Sequence, residues 1–472
     1  MLDAEFAINA RRETVSQDFR RTLRPWGYLV PPSGLTKPLT ATLKDFCKSD
    51  LPLIVDNGYF DDITRLSTSL AKPIGAAKAD IAMVETRLER TALWRDLPKT
   101  VARRRVRLAA TLAAEALTAQ GMPLIEQLAL SSNGVIGAED ITAALWVRAE
   151  IDRPAIPGRR TELRHRNEAV AKEAKLAIDT LPRNRRPEYL AVASALDYDT
   201  AYDAGRAFGS AGLRSAAMGF GAFMADNSFS NRIVIQGRAH SLPRPLPMRY
   251  LRTALVARGF WDGWKSVTRS APRRFHFLGL GAPIMIPLVA LAGHGTRLLT
   301  FDATSPFRDA VEGTLYSTLG AYLKIRTRRV AELLMSGQSY SWVCPCGFCR
   351  EFVRKHPFDY VRGRRWGTAR AGSGPITAKD LQPSGGLYRA YPLMAEPRGG
   401  ELRKEVSYAR SGHNHWVLYQ IMRDLRKYGK RKSTLETHTQ RIVDEYQKST
   451  SSSHFAVAVS LALDIVRGRF SG

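Results

Sequence analysis

The sequence is short of acid. Its 472 residues hold 71 Lys and Arg against 44 Asp and Glu, a formal net charge of +27 at pH 7. An excess of that size, spread along the whole chain, argues for a polyanionic partner that covers a broad surface. Cysteine is scarce as well. There are four, and three of them (Cys344, Cys346, Cys349) stand close together, which is the spacing of metal ligands and not of a disulfide framework. No long apolar run is present. The longest stretch free of Lys, Arg, Asp and Glu runs from Phe275 to Thr296, and its glycines and prolines make it a buried strand, a turn and a buried helix, not a membrane span. The N-terminal MLDAEFAINARRET lacks the apolar centre of a secretory signal, which predicts a cytoplasmic protein. Internal repeats are absent too. With 44% hydrophobic residues, the chain has enough apolar side chains to build a core.

Short apolar runs at 53–55, 124–130, 189–193, 216–220, 275–280 and 297–301 read as buried parallel strands. Between them lie segments of helical period: 101–119, 160–178, 200–212, 248–260 and 307–325. Alternating strands and helices imply a parallel sheet covered by helices. The number of units predicts an α/β fold of the (β/α)8 barrel type, with an open sheet as the alternative, and the cysteine-bearing segment that breaks the rhythm reads as an inserted zinc-binding subdomain or an irregular loop. The barrel body is expected over 1–335 and the subdomain, with a basic insertion, over 336–415. Helices that pack on the barrel are expected over 416–472.

Cys344-Pro-Cys346-Gly-Phe-Cys349 puts three thiolates on a tight loop, which suits zinc. A fourth ligand must come from elsewhere, and Cys47, His356, His413 and His415 are the candidates. With four protein ligands the metal is structural, because no coordination position stays open.

Two apolar runs end in an aspartate. LPLIVD places Asp56 before Asn57-Gly58, and RLLTFD places Asp302 before a Thr-Ser-Pro turn. In a barrel, strand C-termini carry the catalytic groups. One aspartate then serves as nucleophile and the other handles protons, or each caps the turn that follows it. The glycine-bearing strand ends MGFG, with Gly219 and Gly221, and LGLG bring backbone amides to the barrel mouth, where they can read a flat heterocycle.

These motifs, in this order, resemble the tRNA-guanine transglycosylase superfamily over roughly residues 51–425. VDNGYF (55–60) resembles its aspartate–small–glycine–glycine–phenylalanine strand end, and MGFG its double-glycine loop. FHFLGLGAP (275–283) resembles its glycine-x-glycine-threonine-proline strand. LLTFDATSPFRDA (298–310) resembles the strand of the nucleophilic aspartate, and CPCGFC with His413-Asn414 resembles its zinc site. The resemblance implies an enzyme, a pentosyltransferase that exchanges guanine in a polynucleotide for a 7-deazaguanine. Asp302 is then the nucleophile and Asp56 the proton-handling group. Asn57, Gly58, Ser194, Gly219 and Gly221 bind the base, while Cys344, Cys346, Cys349 and His413 hold Zn2+. The strand end expected to carry a second base-reading aspartate has LSSNG, so Asn133 is the candidate there. The family also implies a homodimer.

The extra basic mass most resembles the DNA-directed (DpdA-type) branch, so the expected partners are double-stranded DNA and a 7-deazaguanine base such as preQ0. Arg308 and the insertion residues Arg362, Arg364 and Arg365, beside Trp366, are candidate nucleic-acid contacts. The runner-up substrate is tRNA. The alternative from another class is a catalytically inactive zinc-containing DNA-binding subunit.

Overall fold

The computed structural model describes residues 2–49, 51–90, 97–149, 158–181, 188–317, 322–327, 344–355, 370–371, 374–375, 400–450 and 452–470. Eight parallel strands close a barrel: β1 (Asp3–Asn9), β2 (Gly27–Val30), β3 (Leu53–Val55), β4 (Gly134–Glu139), β5 (Glu188–Ala193), β6 (Ser215–Gly219), β9 (Arg274–Leu278) and β10 (Leu298–Asp302). Strands β7 (Phe229–Ile235) and β8 (Arg238–Pro247) form an antiparallel hairpin between β6 and the helix Met248–Val267. Each barrel strand pairs with its neighbour in chain order, and β10 closes on β1 with Phe6 opposite Phe301 and Ala7 opposite Asp302.

The two-residue period of a strand sorts side chains to the two faces of the sheet. Outward residues such as Phe6, Val55, Phe275, Phe277 and Phe301 join the helices in one large core. Phe277 and Phe301 stack in parallel, with ring centroids 4.6 Å apart. Inward residues Ala7, Leu29, Ile54, Ile136, Leu190, Val192 and Ala217 form a second, smaller cluster inside the barrel. Each large apolar side chain so buried contributes on the order of 2 kcal/mol. The interior beside β9 and β10 is different, for Arg274, His276, Thr300 and Asp302 are all buried there.

Several sequence expectations change. The run 124–130 is a short helix, Leu124–Leu130, and the strand follows it as Gly134–Glu139. Strands β1 and β2 are not among the expected runs: the apolar residues of β1 alternate with charged or small ones, and β2 is only four residues long. The helix expected over 307–325 stops at Val311: Gly313 turns the chain at φ 75°, and a small hairpin, β11 (Thr314–Tyr316) and β12 (Lys324–Arg326), takes its place. The boundary expected at 415 falls inside one helix, Gly400–Tyr428, which packs on the barrel: Tyr419 Oη donates to the Phe6 carbonyl at 2.8 Å. Two more helices, Lys432–Ser449 and Ser453–Arg467, follow it. Among the described residues no helix is long and apolar enough to cross a membrane.

Candidate active site and metal cluster

A cavity of about 1410 Å³ opens at the C-terminal ends of the barrel strands. Its deep wall holds Asn9 of β1, Asp56 and Asn57 after β3, Glu139 at the end of β4, and Asp302 at the end of β10. The loops after β6 and β9 add Gly219, Gly221 and Gly279. Arg11, Arg12, Arg148 and Arg308 line it too, as do the acids Glu13 and Asp61. The two aspartates picked out by their position after apolar runs therefore share one cavity.

Asp302 is 4% exposed and surrounded by donors. Asn9 Nδ2 donates to Oδ2 at 3.2 Å, and the Gly279 amide donates to Oδ1 at 3.0 Å. His276 Nε2 lies 3.2 Å from the same Oδ1. The Gly279 amide reaches it because that residue takes φ 72°, which glycine adopts without strain. A Cβ there would also press to 3.1 Å on Gly221, where the loops after β6 and β9 approach each other.

Asp56 has poorer company. Its Oδ1 accepts one hydrogen bond, from the Asn57 amide at 2.9 Å. Burial first, then the charges of Asp302 and Glu139, push its carboxyl up to about 8. Glu139, which the sequence reading missed, is raised to about 7, chiefly by burial. Asn57 joins this pair: its Nδ2 donates to Glu139 Oε2 and to the Gly137 carbonyl, both at 2.9 Å. The loop after β3 is held from behind by Gln127, whose Nε2 donates to the Asp56 carbonyl at 3.2 Å. Gly58 is not on the cavity wall; at φ 81° it makes the turn into the helix Tyr59–Ser69.

Besides Gly58, two more residues expected to bind the base lie off the cavity wall. Asn133 stands just before β4 begins, at the opposite end of the barrel from the cavity, where its Oδ1 accepts from Arg274 Nη1 at 2.7 Å. The cause is the strand shift described above: with 124–130 helical, the C-terminal strand end falls on Glu139. Ser194 follows β5 but does not line the cavity. Its amide donates to Asn167 Oδ1 at 2.9 Å, and it is buried. Gly219 and Gly221 do line the cavity, and a Cβ on Gly219 would meet nothing within 4 Å, so its surface is open to a ligand.

Away from this cavity, Cys344, Cys346, Cys349 and His413 gather with ligand atoms within 4.8 Å of one another. His413 Nδ1 lies 3.3, 3.8 and 3.4 Å from the three sulfurs in turn. A tetrahedral zinc with ordinary bond lengths needs about 3.5 Å between imidazole nitrogen and thiolate, so the donor set fits a metal ion. The His413 Nε2–H donates to the Tyr316 carbonyl at 2.8 Å, which makes the unprotonated Nδ1 the nitrogen that faces the three sulfurs. The helix of His413 meets the helix Gly347–Lys355, which carries Cys349, at Gly412, where any Cβ would strike the Phe348 ring. Neither described alternative ligand takes part: Cys47 Sγ donates to the Leu130 carbonyl at 3.2 Å, and His415 Nδ1 faces the Ser411 carbonyl at 2.8 Å. His356 lies outside the described residues.

The cluster is tied to the cavity. Asn414 Nδ2 donates to the carbonyls of Pro306 (3.1 Å) and Thr314 (3.0 Å), and its Oδ1 accepts from the Tyr316 amide at 2.9 Å. Pro306 opens the helix that directly follows Asp302. Arg308 of that helix is exposed at the cavity wall. Arg362, Arg364 and Arg365 lie outside the described residues. No protein-family model matches this chain, and no curated protein matches its sequence.

Proposed function

We propose that this chain is a pentosyltransferase that replaces guanine in DNA by a 7-deazaguanine base of the preQ0 kind through a covalent aspartyl-glycosyl intermediate. The observation that carries the reading is the pair Asp302 and Asp56: one cavity at the catalytic end of a barrel, one carboxylate saturated with donors and one raised by burial. Two carboxyl groups in unlike surroundings can divide the work, one held in place by donors and the other carrying a proton. The order of motifs resembling the transglycosylases supports the same assignment.

Asp302 Oδ attacks the anomeric carbon of the target nucleotide as the bond to guanine N9 breaks. Asp56, mostly protonated at pH 7, gives its proton to the departing guanine. The incoming base then returns a proton to Asp56 from N9, attacks the anomeric carbon and releases Asp302, with net retention at the sugar. Glu139 and Asn57 face the same space and suit the donors and acceptors of a purine edge, and the open surface of Gly219 lets a flat ring lie against backbone. The target nucleotide must leave its stack to reach this depth.

The arginines of the cavity wall support a polynucleotide: Arg11, Arg12, Arg148 and Arg308 line the same cavity as Asp56, Glu139 and Asp302 and can contact its phosphates. The cysteine–histidine cluster holds Zn2+ in a structural role, since four protein ligands leave no open position. Incubation with radiolabelled guanine and either duplex DNA or bulk tRNA tests the proposal. Label is expected in DNA. Label confined to tRNA would move the activity to that substrate, and no label in either would leave an inactive binding subunit.

A further inference from the structure

Behind Asp302, away from the cavity, a column of polar side chains runs down the inside of the barrel beside β9 and β10. We propose that His276 is a positioning residue for the nucleophile, kept as the neutral Nε2–H tautomer by Thr300, whose own orientation is set by Arg274. The role rests on reading Asp302 as the nucleophile. His276 is 0% exposed and touches no part of the cavity, so it reaches the reaction only through Asp302.

The direction of every bond in the column follows from its far end. Arg274 is fully buried, and a guanidinium can only donate. Its Nη1 donates to Asn133 Oδ1 at 2.7 Å and lies 3.6 Å from Glu188 Oε2. Its Nε donates to Thr300 Oγ1 at 3.4 Å. The Thr300 oxygen thus accepts from Arg274 and keeps its hydrogen for another partner. The nearer acceptor is His276 Nδ1 at 2.8 Å; the alternative, the Phe275 carbonyl, is at 3.5 Å. Nδ1 therefore accepts, and the ring proton sits on Nε2, aimed at Asp302 Oδ1 3.2 Å away. Burial favours the uncharged ring and outweighs the opposing pull of the Asp302 carboxylate, with a smaller contribution from the Arg274 charge in the same direction as burial.

The chemistry needs such an arrangement. Asp302 has to keep one orientation while its bond to the sugar forms and breaks. A neutral donor holds the carboxylate without forming an ion pair that attack would have to disrupt. Asn133, misplaced by the sequence reading at the cavity, here anchors the base of the column.

His276→Leu, His276→Gln and Thr300→Val test the role. In His276→Leu, kcat for base exchange is expected to fall about 100-fold with KM within about threefold of wild type. His276→Gln, which keeps an N–H where Nε2 stood, should recover to within about tenfold of wild type. Metal content and thermal midpoint near the wild-type values confirm that each variant is folded. Independently of turnover, ¹⁵N spectra of histidine-labelled protein should show a neutral, Nε2-protonated His276 that loses this single state in Thr300→Val. A wild-type enzyme that exchanges base, with His276→Leu equally fast, overturns the positioning role alone. A ring protonated on Nδ1 in the wild type overturns the column. A wild-type chain that exchanges no base overturns the reading of Asp302 and the role with it.

Discussion

Asp302 and Asp56 line the same cavity, yet their surroundings are opposite. Asp302 closes a strand whose neighbours, β1 and β9, both supply donors: Asn9 on one side, His276 and the Gly279 amide on the other. Asp56 closes β3, beside the apolar half of the barrel interior, and receives only the amide of its own loop. The charges that act on it are like charges, Asp302 and Glu139 foremost. The same residue type thus becomes an acceptor held by three donors at one strand end and a raised acid at another. What separates them is the company of the adjoining strands, and the proposed division into nucleophile and proton carrier follows from it.

The strongest way to break the comparison is to remove its held member. Asp302→Ala should lower exchange of labelled guanine by about 10⁴-fold or more, while affinity for DNA in a gel-shift titration changes little. Activity close to wild type in that variant would end the assignment. Next comes the anchor of the helix behind Asp302. Cys346→Ser should lose bound zinc, measured by atomic emission, and cost on the order of 5 kcal/mol in denaturant unfolding. Unchanged zinc content would refute the cluster.

Asp56→Asn sharpens the contrast from the other side, with an expected loss of about 10²–10³-fold in exchange. It also carries a stability signature. An unfolded aspartate titrates near 3.9, whereas folded Asp56 titrates at about 8. The folded chain holds the extra proton between these values, so this residue's contribution to stability is complete below about pH 4, declines as pH rises to about 8 and is level above it. Glu139 and Glu5, both raised to about 7 by burial, act with the same sign. Urea midpoints at pH 5 and pH 8.5 should therefore differ less in Asp56→Asn than in the wild type. The smallest effect is expected at the rim: Arg308→Ala should weaken DNA binding modestly and flatten the salt dependence by about one unit of slope.

Some of this was legible along the chain because the signal is local. Cys344, Cys346 and Cys349 lie within one loop, so their spacing alone announces a metal site. Asp56 and Asp302 stand out because each ends an apolar run. Glu139 was hidden for the complementary reason: its strand, GVIGAE, is weaker in sequence than the run LIEQLAL before it, and a short apolar run reads equally well as strand or helix. Cysteine spacing by itself left His413 and His415 both open as the fourth ligand; the resemblance pointed to His413, and the packing agrees, since residues two apart on a helix point to different sides and the side of His413 meets the cysteines.

The amino-acid order by itself determined the repeating strand–helix pattern, the three cysteine ligands, the positive charge and the two aspartates, because period, spacing and composition are properties of neighbours in the chain. Tertiary structure alone decided that Glu139 joins the cavity and that Asn133 lies at the far end of the barrel. It also decided that Arg274, Thr300 and His276 line up behind Asp302. Those outcomes depend on strand register and barrel closure, which bring together side chains far apart in sequence and set which of them lose water.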